Sequence, residues 1–228
     1  MGQIVEFQSN GSTASGYFAP AASSSGPGVI VIQEWWGLVP HIESVVDRLA
    51  EAGISALAPD LYHGETTTEP DEAGKLMMAL NLDQAAKDLS GAVKYLRDSP
   101  AVSGAKVGVM GFCMGGGLAL VLACKEPESI GACAPFYGLI PWEGAQPDYS
   151  ALDCPVRGHF AELDEFFGPD AAAGLEERLR GLGKDAELMV HPAVDHAFFN
   201  DSRPEVYNAE ASALAWDSTV QFMTTALA

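Results

Sequence analysis

The chain has 228 residues, of which 48% are hydrophobic, and its 12 Lys and Arg against 31 Asp and Glu give a formal charge of −19. This length fits one α/β domain, so a single domain over residues 1–228 is predicted. The acidic balance disfavours nucleic acid and anionic membrane surfaces as partners. The N-terminus lacks the basic and apolar runs of a leader, and no apolar stretch reaches the length of a membrane span. We therefore expect a cytoplasmic protein, a monomer or weak homodimer, with no nucleic-acid or membrane partner.

Short apolar runs alternate with longer segments of helical periodicity along the chain. The first half is predicted to contain, in chain order, an antiparallel hairpin over residues 4–18 turning at Asn10-Gly11, a strand over 28–33, a helix over 42–50 ended by Gly53, a strand over 54–58 and, after a loop, a helix over 71–96 with a break near Asn81. The second half is predicted to contain a strand over 106–111, a helix over 115–125, strands over 130–136 and 156–161, a helix over 169–182, a strand over 186–191 and a helix over 204–227.

The last helix has the sequence pattern of a well-formed N-terminus. Ser202 is predicted to be its N-cap, Pro204 fits its first turn, and Glu205 completes a capping box. The alternation of strands and helices predicts the α/β class. We expect a mostly parallel sheet of about eight strands, antiparallel only at the N-terminal hairpin, with helices on both faces.

A glycine-rich turn, Gly111-Phe-Cys-Met-Gly-Gly-Gly117, lies between a predicted buried strand and a helix. This pattern is typical of a nucleophile elbow, with Cys in place of the more usual Ser. The glycines two before and two after the Cys are needed because side chains there would strike the neighbouring strand or helix. A Cys at a helix N-terminus is favoured as the reactive thiolate. The turn therefore predicts Cys113 as a nucleophile, against the alternative of a buried structural cysteine. That alternative is our interpretation of Cys124, Cys133 and Cys154.

A thiol nucleophile needs a base, and the base needs an acid that orients it. After a nucleophile elbow these partners follow in the order acid, then His, each on a loop after a strand. Asp164 follows the predicted strand over 156–161 and His196 follows the strand over 186–191, so both fit the order. Three other acids in the same region remain open as alternatives to Asp164: Glu162, Glu165 and Asp170.

Four distinctive segments occur in order along the chain: Gln33-Glu-Trp-Trp-Gly-Leu38, Ala58-Pro-Asp-Leu-Tyr-His-Gly64, Gly111-Phe-Cys-Met-Gly-Gly116 and Asp195-His-Ala-Phe198. Together they resemble the dienelactone hydrolase family, or carboxymethylenebutenolidases, of α/β-hydrolases. In order and spacing the resemblance covers nearly the whole chain. It implies the α/β-hydrolase fold, hydrolysis of carboxylic ester or lactone bonds, and a catalytic triad at Cys113, Asp164 and His196.

The resemblance also implies roles for residues around Cys113. The family's Glu beside the nucleophile falls on Glu34. The resemblance implies that this carboxylate lies near the thiol in the resting enzyme and helps to take the thiol proton when substrate arrives. A Glu that ends a buried strand is costly unless it is paired, so a site explains it, and a carboxylate already facing water is the alternative. The oxyanion hole of this fold consists of two backbone N–H groups, which fall on Trp35 and Met114. Trp35 and Trp36 are also expected to wall the pocket.

The sequence departs from the family at the residues that hold a substrate carboxylate. The dienelactone enzymes use an Arg four positions after the triad His, where this chain has Asn200, and a second Arg in a helical region where residues 75–82 contain none. Asn200, Arg203 and Lys75 remain candidates for substrate binding, but no bidentate Arg is evident. The missing Arg residues argue against the dienelactone substrate, whereas the prediction of ester hydrolysis is unchanged.

The sequence thus predicts an ester or lactone hydrolase with a Cys-His-Asp triad and no metal or cofactor. Its histidines are scattered, no HExxH or paired Cys ligands occur, and Gly115-Gly-Gly117 lacks a Walker lysine. Two alternatives stay open. One is a general small-ester carboxylesterase without dienelactone activity, and the other is a non-hydrolytic protein of the same fold whose Cys113 senses oxidants or binds a ligand.

Overall fold

A computed structural model of the protein describes residues 1–23, 25–141 and 145–228, and an eight-stranded sheet organises them. The strands are β1 Gln3–Ser9, β2 Ser12–Ala19, β3 Gly28–Ile32, β4 Ser55–Pro59, β5 Val107–Phe112, β6 Ile130–Phe136, β7 Val156–Ala161 and β8 Ala186–His191. Their spatial order is β1-β2-β4-β3-β5-β6-β7-β8. The β1–β2 and β2–β4 pairs are antiparallel, and all the other neighbouring pairs are parallel. The predicted sheet, mostly parallel with an antiparallel N-terminal hairpin, is confirmed.

Six α-helices of the described ranges cover the two faces of this sheet. They are α1 Pro40–Glu51, α2 Pro70–Ala79, α3 Leu82–Asp98, α4 Met114–Lys125, α5 Pro169–Gly181 and α6 Ala209–Ala226. Leu89 of α3, Leu118 of α4 and Leu175 of α5 belong to one hydrophobic core, whereas Val45 of α1 and Met223 of α6 belong to the core on the other face. None of these helices is long and apolar enough to cross a bilayer.

Two predicted helix boundaries are confirmed. The predicted break near Asn81 separates α2 from α3. The side-chain oxygen of Asn81 accepts the N–H of Gln84 at 3.0 Å, so Asn81 is the N-cap of α3. Gly53 ends α1 with a φ of 86°, and its N–H donates to the carbonyl of Ala50 at 3.1 Å. A left-handed residue after a helix is commonly Gly because it has no Cβ to clash.

The predicted start of the last helix is wrong. α6 begins after Asn208, whose side-chain oxygen accepts a backbone N–H of the first turn at 3.0 Å. Ser202 instead donates its backbone N–H and its hydroxyl to Oδ1 of Asn200, at 3.0 and 2.6 Å, and lies in a turn before the helix. Pro204 and Glu205 consequently lie in turns ahead of the helix. Ser and Asn are equally good caps, and the buried Asn200 amide decides between them by holding Ser202 in that turn.

The carboxyl ends of the parallel strands meet at one edge of the sheet. β3 leads to Glu34, β5 leads to Cys113, β7 leads to Asp164 and β8 leads to His196. Backbone hydrogen bonds tie the loop after β7 to the loop after β8. Polar residues that are far apart in sequence are therefore gathered at the edge where α/β sheets bind their ligands.

A buried pair of histidines lies on β7 and β8, beneath this edge. Nδ1 of His159 is 3.1 Å from Nε2 of His191, and Nε2 of His159 is 3.1 Å from the hydroxyl of Thr219. Both imidazoles are 2% exposed. Burial lowers the pKa of His159 to about 3 and also lowers the pKa of His191. The pair is therefore neutral in the folded protein at neutral pH.

The histidine pair predicts a loss of stability in acid. Below pH 6.5 the unfolded chain binds a proton at His159 that the folded protein rejects until the pH nears 3, so this contribution to stability falls as the pH falls through that window. Urea unfolding of the wild type should show a steeper decline between pH 6 and 4 than His159→Asn, by about 1.4 kcal/mol for each pH unit. Equal slopes for the two proteins would contradict this assignment.

Candidate active site

Cys113 occupies a strained turn between β5 and α4. Its φ of 55° and ψ of −119° put a non-glycine residue in a region that L residues rarely adopt. Its N–H donates to the carbonyl of Phe136 at 3.1 Å, and its own carbonyl accepts the N–H of Gly116 at 3.0 Å. Cys113 is also the N-cap residue of α4, so its sulfur lies at the positive end of the helix dipole.

Close backbone approaches explain why glycines surround this turn. A Cβ on Gly111 would lie 2.1 Å from the carbonyl oxygen of Gly115, and a Cβ on Gly115 would lie 2.4 Å from that of Ile32. The nearest approach is at Gly138, after β6, where a Cβ would lie 1.7 Å from the carbonyl oxygen of Cys113. Backbone cannot yield as a flexible side chain does, so only Gly fits at these positions.

Asp164 and His196 are joined by a short hydrogen bond. Oδ2 of Asp164 is 2.7 Å from Nδ1 of His196, and the side chain of Asp164 is fully buried. The other carboxylate oxygen accepts the backbone N–H groups of Phe166 at 2.8 Å and Phe167 at 3.0 Å. The carboxylate is thus fixed by three donors, and it in turn fixes the orientation of the imidazole.

The ionisation of this pair follows from its contacts. Burial alone would lower the pKa of His196, but its hydrogen bonds to Asp164 and Cys113 outweigh burial and raise the pKa to about 10. Burial acts to raise the pKa of Asp164, but the bond to His196 and the backbone donors lower it overall. The geometry therefore favours an imidazolium between a carboxylate and a sulfur.

The four cysteines occupy different environments. Cys113 is only partly buried and lies against the imidazole of His196. Cys124, Cys133 and Cys154 are buried in the hydrophobic core. Burial raises the pKa of Cys124 to about 11 and that of Cys154 to about 12, so these two are protonated at neutral pH. Of the four cysteines, Cys113 is the one that lies beside an imidazole and lines the cavity described below.

Glu34 is a buried carboxylate held by two side chains. It is 1% exposed, and Oε2 accepts an N–H of the Asn200 amide at 2.7 Å. Oε1 accepts the hydroxyl of Tyr137 at 3.4 Å. Burial and the charge of Glu34 raise the pKa of Tyr137 well above its usual value, so the phenol keeps the proton that it donates. The ring of Tyr137 also packs edge-on against the imidazole of His196, with centroids 5.2 Å apart.

A cavity of about 480 Å³ opens onto these groups. Glu34, Cys113 and His196 line it, together with the predicted oxyanion residues Trp35 and Met114. Met114 is the first residue of α4, so its N–H has no acceptor within the helix. Most of the remaining wall is apolar, including Trp36, Leu80, Leu118, Ile140, Phe166 and Phe167. The cavity therefore presents a thiol and an imidazole to a small, largely apolar ligand.

Comparisons with known proteins identify the family of this chain. The model of the dienelactone hydrolase family matches residues 14–227. The chain belongs to the dienelactone hydrolase family. It is 39% identical to "Protein usf" of Aquifex pyrophilus over 97% of both chains, and 36% identical to a "Putative carboxymethylenebutenolidase" of Aquifex aeolicus over the full length of both. A crystal structure of a "Putative Dienelactone Hydrolase" from Klebsiella pneumoniae superposes with a TM-score of 0.85 at 27% identity, covering 98% of each chain.

Membership of the dienelactone hydrolase family defines the fold and the class of reaction. The mostly parallel eight-stranded sheet is the α/β-hydrolase fold, as the sequence predicted. The protein is a hydrolase of ester or lactone bonds.

The structure separates the sequence-predicted substrate-binding residues into two groups. Trp36 and Arg203 line the cavity. Asn200 does not line it, because the side chain is 1% exposed and bonded to Glu34. Lys75 also lies away from it, on the exposed side of α2, where its ammonium bonds the carboxylate of Glu72 at 2.6 Å. The amide of Asn200 thus holds the carboxylate of Glu34.

Sequence reasoning missed Tyr137 and the two aromatic residues after Asp164. Tyr137 has a φ of 35° and links Glu34 to His196. Phe166 packs edge-on against His196, with centroids 5.6 Å apart. A usable signal existed for Tyr137: it directly follows β6, a central parallel strand, and such strand ends face the ligand site. Nothing comparable marks Phe166, whose loop is irregular.

The close approach at Gly138 predicts a large cost for one added methyl group. Gly138→Ala would force the Cys113 backbone to move, and we expect the free energy of unfolding to fall by roughly 1–3 kcal/mol or more. Gly174→Ala is the matched control. Gly174 lies within α5, and a Cβ added there would meet nothing within 4 Å. That variant should gain about 0.5–1 kcal/mol. Urea unfolding measures both, and similar effects of the two substitutions would contradict the packing described.

Proposed function

We propose that the protein hydrolyses carboxylic esters or lactones through a covalent thioester on Cys113. The observation that carries the proposal is the position of the His196 imidazole, which is bonded to the buried carboxylate of Asp164 on one side and interacts with the Cys113 sulfur on the other. This is the arrangement of nucleophile, base and orienting acid that acyl transfer requires. Asp164, and not one of its neighbouring acids, contacts the imidazole.

In the first half of the reaction the Cys113 thiolate attacks the carbonyl carbon, and the carbonyl oxygen becomes an oxyanion. The backbone N–H groups of Met114 and Trp35 are the proposed donors to this oxygen. The intermediate collapses as the C–O bond to the leaving alcohol breaks, and the imidazolium of His196 gives its proton to that oxygen. A thioester on Cys113 remains, and in a lactone the alcohol stays part of the same molecule.

In the second half His196, now neutral, removes a proton from water as the hydroxide attacks the thioester carbonyl. Collapse of the second intermediate expels the Cys113 thiolate and leaves the carboxylic acid. The sulfur and the imidazolium are then restored to their starting states. Asp164 keeps Nδ1 of His196 protonated throughout, so that Nε2 alone exchanges protons with the reacting atoms.

Glu34 has a proposed supporting role. Its buried carboxylate lines the same cavity as Cys113, and it is a second acceptor for a thiol proton besides His196. When Glu34 takes that proton, His196 keeps its own for the leaving oxygen, and Glu34 returns the proton to the expelled thiolate at the end of the cycle. Tyr137 and Asn200 hold the carboxylate in position for this transfer. The location in the cytoplasm, the single domain and the monomeric or weakly dimeric state stay predictions from sequence.

The proposal predicts that turnover depends on one of the four cysteines. Cys113→Ala should lower kcat/KM for a 4-nitrophenyl ester by at least about 10³-fold, because the covalent route is removed. Cys154→Ala, a buried cysteine outside the cavity, is the matched control and should stay within about threefold of wild type. Acid quenching during turnover should also leave the acyl group on a peptide that contains Cys113.

Unchanged hydrolysis by Cys113→Ala would contradict the proposal. A protein that is alkylated rapidly at Cys113 but forms no acyl-enzyme and releases no 4-nitrophenol would point to a sensor on the same fold.

A further inference from the structure

We propose that the substrate is an uncharged ester or lactone with an apolar acyl chain or ring, and not a lactone that carries a carboxylate. The inference rests on the proposed function, because it assigns a substrate class to the Cys113 site. Three observations carry it: the apolar wall, the sign of the charges that face the cavity, and the engagement of each nearby cation.

Apolar side chains form the wall and continue to its rim. Leu80, Leu118 and Ile140 lie in the wall, whereas Leu82 and Phe166 line the cavity and are also exposed, by 39% and 76%. Single exposed apolar residues are common on protein surfaces, but these two extend a concave apolar surface to solvent. An acyl chain bound at Cys113 would transfer apolar surface out of water along its whole length.

Carboxylates face the cavity, and the cations in its described lining are already engaged by protein groups. Glu34 and Asp195 are the carboxylates of that lining, and Arg203 and the imidazolium of His196 are its cations. His196 is bonded to Asp164 and interacts with the Cys113 sulfur. The guanidinium of Arg203 is already paired, since Nε donates to Glu205 at 2.8 Å. It also lies 5.6 Å from the ring centroid of Trp36. An anionic substrate would therefore meet carboxylates, and cations that already have partners, where the local dielectric is low and charges interact strongly.

The other nearby polar groups offer no substitute for a carboxylate clamp. The Asn200 amide is buried, donates to Glu34 and accepts the hydroxyl of Ser202. Lys75 lies outside the cavity and is paired with Glu72. The overall charge of −19 adds a long-range field that repels anions as they approach. Desolvating a carboxylate in this cavity would therefore go uncompensated.

The test compares two 4-nitrophenyl esters that differ at one end of the acyl chain. Hexanoate ends in a methyl group, and the adipate monoester ends in a carboxylate at the same position. We expect kcat/KM for hexanoate to exceed that for adipate by at least about 30-fold in 0.1 M salt, after correction for the reaction of each ester with a small free thiol. A ratio near one, or a preference for adipate, would overturn the inference.

A substitution at the rim tests whether charge causes the preference for hexanoate over adipate. Leu82→Arg places a cation on the exposed apolar rim, and Leu82→Gln is the matched uncharged control. The Arg variant should reduce the hexanoate preference at least about tenfold relative to the Gln variant, because the added charge compensates the substrate carboxylate. Equal ratios in the two variants would contradict an electrostatic origin for the preference.

The same assay distinguishes failure of this inference from failure of the proposed function. If wild type hydrolyses both esters equally and Cys113→Ala hydrolyses neither, the substrate class is wrong and the cysteine mechanism stands. If Cys113→Ala retains wild-type rates on both esters, the cysteine mechanism itself is wrong, whatever the ratio.

Discussion

The hydrogen bond between Asp164 and His196 is the interaction on which the rest of the site depends. It joins two loops that follow different strands. It also raises the pKa of the His196 imidazole, which burial alone would lower. The sheet supplies the framework, because β7 and β8 end side by side and deliver both loops to one edge. The helix dipole at Cys113 and the charged imidazole then act together on one sulfur.

The fold was largely predictable because its signals are local. Buried parallel strands appear as continuous apolar runs, and the breaks at Gly53 and Asn81 use residues with a known conformational role. The start of α6 was not predictable in this way. Ser202 and Asn208 have similar capping ability, and the choice depends on the buried Asn200, whose environment arises only in the folded chain.

The site was predictable where chain order constrains it and unpredictable where side chains choose partners. A nucleophile elbow followed by an acid and a His identifies Cys113, Asp164 and His196 as a set. Spacing could not choose Asp164 over the neighbouring acids, and among the described residues it is the carboxylate of Asp164 that bonds the imidazole. The contact made by Asn200 was unpredictable for a related reason, since its partner Glu34 lies 166 positions away in sequence.

The contrast between an acidic protein and an apolar cavity links the site to its substrate. Repulsion of anions and burial of apolar surface both favour uncharged, apolar ligands. Glu34 is central to this contrast. Its charge is tolerated in a buried position because Tyr137 and Asn200 donate to it, and the same charge disfavours a second carboxylate in the cavity.

The central claim concerns the proton on His196, and NMR titration of its imidazole tests that claim most directly. The resonance is assigned by its loss in His196→Ala, and it is followed from pH 5 to 11 in wild type and in Asp164→Asn. The account predicts a pKa of about 10 in wild type and a clearly lower value in the variant, because burial would then act with less opposition. Titration near pH 6.5 in both proteins would show that the imidazole is not held charged by Asp164 and Cys113, and would contradict the account.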